Sequence, residues 1–223
     1  MTWVVANLGL IADRALSHLA LAVPAIVASF LIALPVGWVA RKLSWSRAAV
    51  LSAAGLLYAI PSLPLFVLLP TVLGTGVRDR LNVIVALTLY GVALMVRSVA
   101  DALDAVGAGT VEAATAVGYG AWGRFLTVEL PLAGPVLLAG LRVVAVSTIS
   151  LVTVSGVLGV SNLGLLFTDG FQRGIIAEVI TGIVATAVLA LLVDALLVLG
   201  GRIAMPWTRA TTRARLVGQE LAA

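Results

Sequence analysis

Long apolar runs separated by short polar intervals dominate the chain. A membrane-spanning helix needs about 20 mostly apolar residues. Five stretches meet or approach that length, at about 19–40, 48–73, 81–96, 130–158 and 175–199. Residues 1–17, with Trp3, Asp13 and Arg14, are too polar to span and are predicted to lie along the membrane surface. The pattern predicts an all-α integral membrane protein with about five transmembrane helices. It divides into a surface segment (1–18), a transmembrane domain (19–201) and a basic tail (202–223). The chain shows no heptad, low-complexity tract or inverted repeat between its halves.

Composition strengthens this picture. The chain is 61% hydrophobic and 11% charged, where soluble domains hold roughly 45–50% apolar and about 25% charged residues. In water the surplus would form contiguous exposed patches that aggregate. The absence of cysteine excludes disulfides, thiolate metal sites and a cysteine nucleophile. The single histidine, His18, cannot form a metal cluster and is expected at a helix end near the headgroups. No cleavable leader is expected, since the start lacks a basic stretch and the first apolar run has no small-residue cleavage site.

The net charge of +4 would point to nucleic acid in a soluble protein. Here the basic residues sit between apolar runs and report topology instead. If the 41–47 interval is inside, alternation places Arg41, Lys42, Arg47, Arg97, Arg124, Arg202, Arg209, Arg213 and Arg215 inside. Arg14, Arg78, Arg80, Arg142 and Arg173 then lie outside or in the membrane. Nine of the fourteen basic residues are thus interior, which predicts an amino terminus outside and a carboxyl terminus in the cytoplasm.

The second run carries Pro61, Pro64 and Pro70. Each proline removes a backbone donor and clashes with the preceding turn, so a kinked or broken helix is expected. In a membrane a break survives only where protein or a water-filled cavity satisfies the freed carbonyls. Two readings stand: Pro61, Ser62 and Pro64 line a translocation path, or the kink serves helix packing alone.

The longest interior interval, about 98–129, contains Gly107, Gly109, Thr110 and Glu112, followed by Ala113, Ala114, Ala116 and Val117, then Gly118 and Gly120. Thr110 is suited to cap a short helix, with Glu112 in its first turn where the dipole favours an acid. Gly118 and Gly120 would end it. Such a small-faced helix on the basic side can dock into a groove of a soluble partner; the plainer reading is an interfacial loop.

The spacing Glu112-Ala113-Ala114, Gly118, Val128, Leu130 and Pro131 resembles the permease family of binding-protein-dependent ABC importers. That family's pattern is Glu-Ala-Ala, three residues, Gly, nine residues, Ile, one residue, Leu-Pro; Val128 stands for the isoleucine. The resemblance implies a cytoplasmic coupling helix formed by Glu112, Ala113, Ala114 and Gly118, with Leu130 and Pro131 leading into the next span. It implies a cytoplasmic ATPase dimer, an extracytoplasmic substrate-binding protein and a second permease copy or paralogue as partners, in a bacterial inner membrane. No nucleic acid is expected. A phosphate-binding loop needs Gly-Lys-Ser/Thr, and the only lysine, Lys42, lies between Arg41 and Leu43. The chain is therefore not an ATPase by itself and needs no cofactor of its own; ATP and Mg would be bound by the partner.

Ile60-Pro-Ser-Leu-Pro64, Leu89-Tyr90 with Arg97, Glu129-Leu-Pro-Leu-Ala133 and Gly140-Leu-Arg142 are similar to osmoprotectant permeases, which import glycine betaine, choline, carnitine or proline betaine. With the coupling loop, the resemblance covers most of 16–202. The chain departs from that subfamily's Gly-Gly-Gly-Leu-Gly at Gly159-Val-Ser-Asn-Leu-Gly164, which leaves methionine importer permeases as the alternative.

Two charges fall inside apolar runs, Arg142 and Asp194. Unpaired charges are expensive in a bilayer, so they are expected either to pair between the fourth and fifth spans or to snorkel to opposite surfaces. Quaternary ammonium groups are held by aromatic cages. Tyr58, Phe66 and Tyr90 either contribute to a pore or pack between helices. The basic tail can touch anionic lipid. Three rival classes make distinct predictions. A channel or secondary transporter would work without an ATPase, a membrane enzyme would need convergent catalytic groups that the chain lacks, and an assembly subunit would need no broken helix.

Overall fold

The computed structural model describes residues 2–42 and 44–208. Arg209, Arg213 and Arg215 of the expected tail lie outside them. All elements among the described residues are helical. After a short α1 (Thr2–Ala6), α2 (Leu8–Lys42) forms the first span, and α3 (Ser44–Ala59) and α4 (Ser62–Leu73) follow. Next come α5 (Arg80–Asp104), α6 (Ala108–Ala116) and α7 (Ala121–Arg124), which leads through a π-helical turn (Phe125–Glu129) into α8 (Leu130–Val152). A 3₁₀ turn (Thr153–Leu158), α9 (Leu165–Gln172) and α10 (Ile176–Ala204) complete the chain. Among the described residues, four helices are long and apolar enough to cross a membrane, and the α3–α4 pair, bent by 99°, makes a fifth span when taken as one.

Helix α5 is the centre. It packs along α2 through a stripe of small residues on that helix, Ala22, Ala25, Ser29, Ala33, Gly37 and Ala40, all buried. A Cβ on Gly37 would lie 2.5 Å from Val99 Cγ1, and one on Gly91 of α5 would lie 2.1 Å from Ser29 Oγ. Lipid offers no hydrophobic drive for helices to associate, so close backbone approach and polar links must hold them. Ser29 illustrates both: its hydroxyl lies 2.6 Å from Ala25 O and 3.2 Å from Thr88 O across the α2–α5 contact.

Two expectations change here. Residues 8–18 are not separate from the first span, because α2 is unbroken from Leu8. His18 is fully buried within α2 rather than at a helix end. Its Nε2–H donates to Ile149 O at 2.9 Å. The reason is local: where α8 tightens into the 3₁₀ turn, Thr153 N–H bonds to Ser150 O and Leu151 O. Ile149 O thereby loses its usual i+4 donor, and the imidazole takes that place. The short α9, between the last two spans, forms where the apolar pattern predicts no helix.

Candidate functional site

The bundle's basic end gathers the end of α2, the start of α3, the end of α5 and the loop through α6 and α7. Helix α6 begins two residues before Thr110, with Gly107 as its N-cap and no side-chain capping bond. Thr110 is thus inside the helix, and Glu112 lies beyond the first turn. Asp101 and Leu103 carbonyls already receive the Ala105 N–H at the end of α5, so the chain needs only a Gly107 pivot to begin the next helix. None of α6 is buried: Glu112 and Ala113 are exposed and Ala114 half-buried. Gly118 ends the segment with φ +98°, a left-handed conformation that side chains resist. Leu130 and Pro131 open α8 directly after the π-helical turn, and the missing proline N–H leaves a carbonyl of that turn without its helical donor.

Beneath α6 lies a network of charges. Glu129, 1% exposed, accepts from Arg41 Nη1 at 2.5 Å and from Arg124 Nε at 2.8 Å. Arg124 Nη1 also donates to Thr115 Oγ1 at 2.6 Å, reaching the last turns of α6. On the other side Arg41 Nε lies 3.3 Å from Asp104 Oδ1, and Arg47 Nη2 2.7 Å from Asp104 Oδ2. Trp38, Trp122 and Phe125 pack beside it with ring centroids 5.3–5.7 Å apart, and Lys42 sits 5.3 Å from the Trp38 ring. A cleft of about 190 Å³ opens between Trp38, Arg41, Arg124 and Glu129. In the sequence Glu129 stands out only as part of the resemblance to osmoprotectant permeases. An acid at the head of a long apolar run was the signal that it needed buried partners.

The break between α3 and α4 falls at Ile60–Pro61. Pro64 cannot donate to Ile60 O, and the Tyr90 hydroxyl does so instead at 2.5 Å. Tyr58 meets the Tyr90 ring edge-on at 6.0 Å. Tyr90 is buried and Tyr58 is 45% exposed. Pro61 caps α4, Ser62 begins it, and Pro64 sits in its first turn. Phe66 is buried in the core with Leu21, Leu87 and Ile149.

Arg142 and Asp194 meet between α8 and α10 through two hydrogen bonds, Nε to Oδ1 at 2.6 Å and Nη2 to Oδ2 at 2.7 Å. Such a fork is the strongest form of this pair. The side chains are 42% and 22% exposed and border an apolar groove with Val143, Val146, Ser147 and Leu191. Among the described residues no ion pair joins the charge network at the basic end to this pair.

Comparisons with known proteins agree with this architecture. The osmoprotectant import permease OsmW of Salmonella typhimurium is 34% identical over 86% of this chain and 90% of its own. The glycine betaine/carnitine/choline transport permease OpuCB of Bacillus subtilis is 26% identical over 92% and 94%. In fold, a chain of the inward-facing methionine ABC transporter MetNI superposes with a TM-score of 0.73 at 24% identity, covering 88% of this chain and 95% of that one. Residues 25–204 match the family described as the inner membrane component of binding-protein-dependent transport systems. With four-fifths of its length inside that match, the chain belongs to this family of multi-pass inner-membrane ABC importer permeases, which catalyse no reaction themselves and work with a separate ATPase and a binding protein.

Proposed function

We propose that the chain forms the translocation path for small osmoprotectants such as glycine betaine, choline, carnitine or proline betaine. It works as a homodimer or with a paralogous permease, on two cytoplasmic ATPase subunits that bind ATP and Mg. Its amino terminus is outside and its carboxyl terminus in the cytoplasm. An extracytoplasmic binding protein delivers solute to a cavity between two permeases, and ATP-driven closure turns that cavity inward. Glu112, Ala113, Ala114 and Gly118 form the face that enters the ATPase cleft, and Leu130 with Pro131 joins it to the next span. Pro61, Ser62 and Pro64 with Tyr58 and Tyr90 border the path.

One observation carries this reading: α6 stands at the basic end with no residue of its own buried, offering a small-residue face that invites a partner. The named activities of OsmW and OpuCB support the substrate class. The test is uptake of labelled glycine betaine and, separately, methionine into vesicles holding the chain with its ATPase and binding protein. Gly118→Asp places a side chain on a left-handed residue, at a cost of roughly 1–2 kcal/mol for the αL conformation, and is expected to abolish ATP-dependent betaine uptake while the membrane helices stay folded. Methionine uptake would keep the mechanism and replace the solute. Uptake that needs no ATP would defeat the proposal.

A further inference from the structure

We infer that Glu129 is the positioning residue through which movement of α6 reaches the transmembrane helices. The inference rests on the proposed docking of α6 to an ATPase and goes beyond it, because docking alone does not say what α6 pulls on.

Helix α6 buries no side chain fully, and Val111, half-buried, gives it an apolar contact with the core. Its polar hold on the body runs in series from there. The Thr115 hydroxyl donates to Val111 O within α6 and accepts from Arg124. Arg124 donates to Glu129 Oε1, and Arg41 donates to the other oxygen, Oε2. Arg41, at the end of α2, shares Asp104 at the end of α5 with Arg47 at the start of α3. Glu129 is the only one of these five charged groups that is fully buried, its side chain 1% exposed against 23–40% for the rest. Two guanidinium groups from separate elements converge on it, as they do on the more exposed Asp104. Removing a shared, buried carboxylate breaks both links at once and leaves two arginines facing each other.

The backbone at this point fits a joint. Glu129 closes the π-helical turn Phe125–Glu129, in which Leu130 N–H bonds to Phe125 O, and single π turns inside α-helices recur at functional positions. The rings of Trp38 and Trp122 lie edge-on beside the joint. Their contact joins α2 and α7 independently of Glu129, so a Glu129 variant is expected to lose transmission before it loses the fold.

The experiment compares wild type, Glu129→Gln and Arg124→Gln, each assembled with the ATPase and binding protein in vesicles. It measures glycine betaine or methionine imported per ATP hydrolysed, alongside assembly and thermal stability of the complex. Arg124→Gln cuts one arm at a partly exposed site and carries the test if Glu129→Gln does not accumulate. The expected result is a fall of at least about fivefold in solute imported per ATP, the low end of ordinary coupling between sites, in a complex that still assembles although its thermal stability is lowered. An unchanged ratio in an assembled variant overturns the inference while leaving the importer reading intact. So does a loss of transport and ATP hydrolysis in proportion to lost complex, which marks a structural role. A wild-type complex that imports neither solute with ATP defeats the importer reading and this inference with it.

Discussion

Helices α5 and α10 are both long enough to span, yet they are held in opposite ways. In α5, 56% of the apolar window is buried against neighbours, whereas in α10 the share is 11%, although α10 is the more apolar of the two. In water the order would be reversed, since apolar surface drives burial. In lipid that drive vanishes, and what decides packing is how closely backbones approach and which polar groups they share. Helix α5 offers Gly91 to Ser29, Val99 to Gly37 and the Tyr90 hydroxyl to Ile60 O. The fully buried positions of α10 are few, Glu178, Gly182, Leu189 and Gly201; half-buried Ala185, Ala190, Val193 and Leu197 pack on the core, and Asp194 adds a polar tether to Arg142.

The sharpest way to break this contrast is to fill the α2–α5 contact. Gly91→Val places a branched side chain where even a Cβ would overlap Ser29. It is expected to destabilise the purified protein by about 2–3 kcal/mol, as overpacking does, read as a lower unfolding midpoint in detergent. No change would show that α5 is not clamped as described. A smaller loss is expected from Arg142→Ala or Asp194→Ala, each of which leaves a lone charge. The double variant should be no worse than either single one, because the interaction is lost only once; strictly additive losses would refute the pairing as a tether. The smallest effect belongs to Gly200→Ala on α10, where a Cβ meets nothing within 4 Å. A gain of up to about 1 kcal/mol follows from helix propensity alone. If the same change weakened association of two permeases, the bare face of α10 would be a protein interface and not a lipid one.

The elements were legible wherever one local rule governed them. Apolar runs of spanning length mark the long helices, and Pro61 with Pro64 marks the break that the structure places at Ile60–Pro61. The Glu112-to-Pro131 spacing marks the family to which the chain belongs. Local rules failed where two weak signals competed. Thr110 is a good cap, but Gly107 starts α6 earlier because the chain leaving α5 turns there. Asp13 and Arg14 looked too polar for a spanning helix, yet α2 runs through them. Arg14 Nη1 is satisfied by Ser161 Oγ at 2.6 Å, a partner 147 residues away.

By itself, then, the sequence determined the solvent this protein requires, the number and rough extent of its candidate spans, the place of the break and the family. These follow from apolar length, missing proline donors and fixed spacing, all of which act within one segment. Only the tertiary structure decided that Glu129 faces Arg41 and Arg124, that Arg142 reaches Asp194, that Tyr90 serves Ile60 O and that His18 serves Ile149 O. Each of these joins groups far apart in the chain or on separate elements. A charge in an apolar run says that a partner is needed, and only the relative rotation and depth of two packed helices says which partner is in reach.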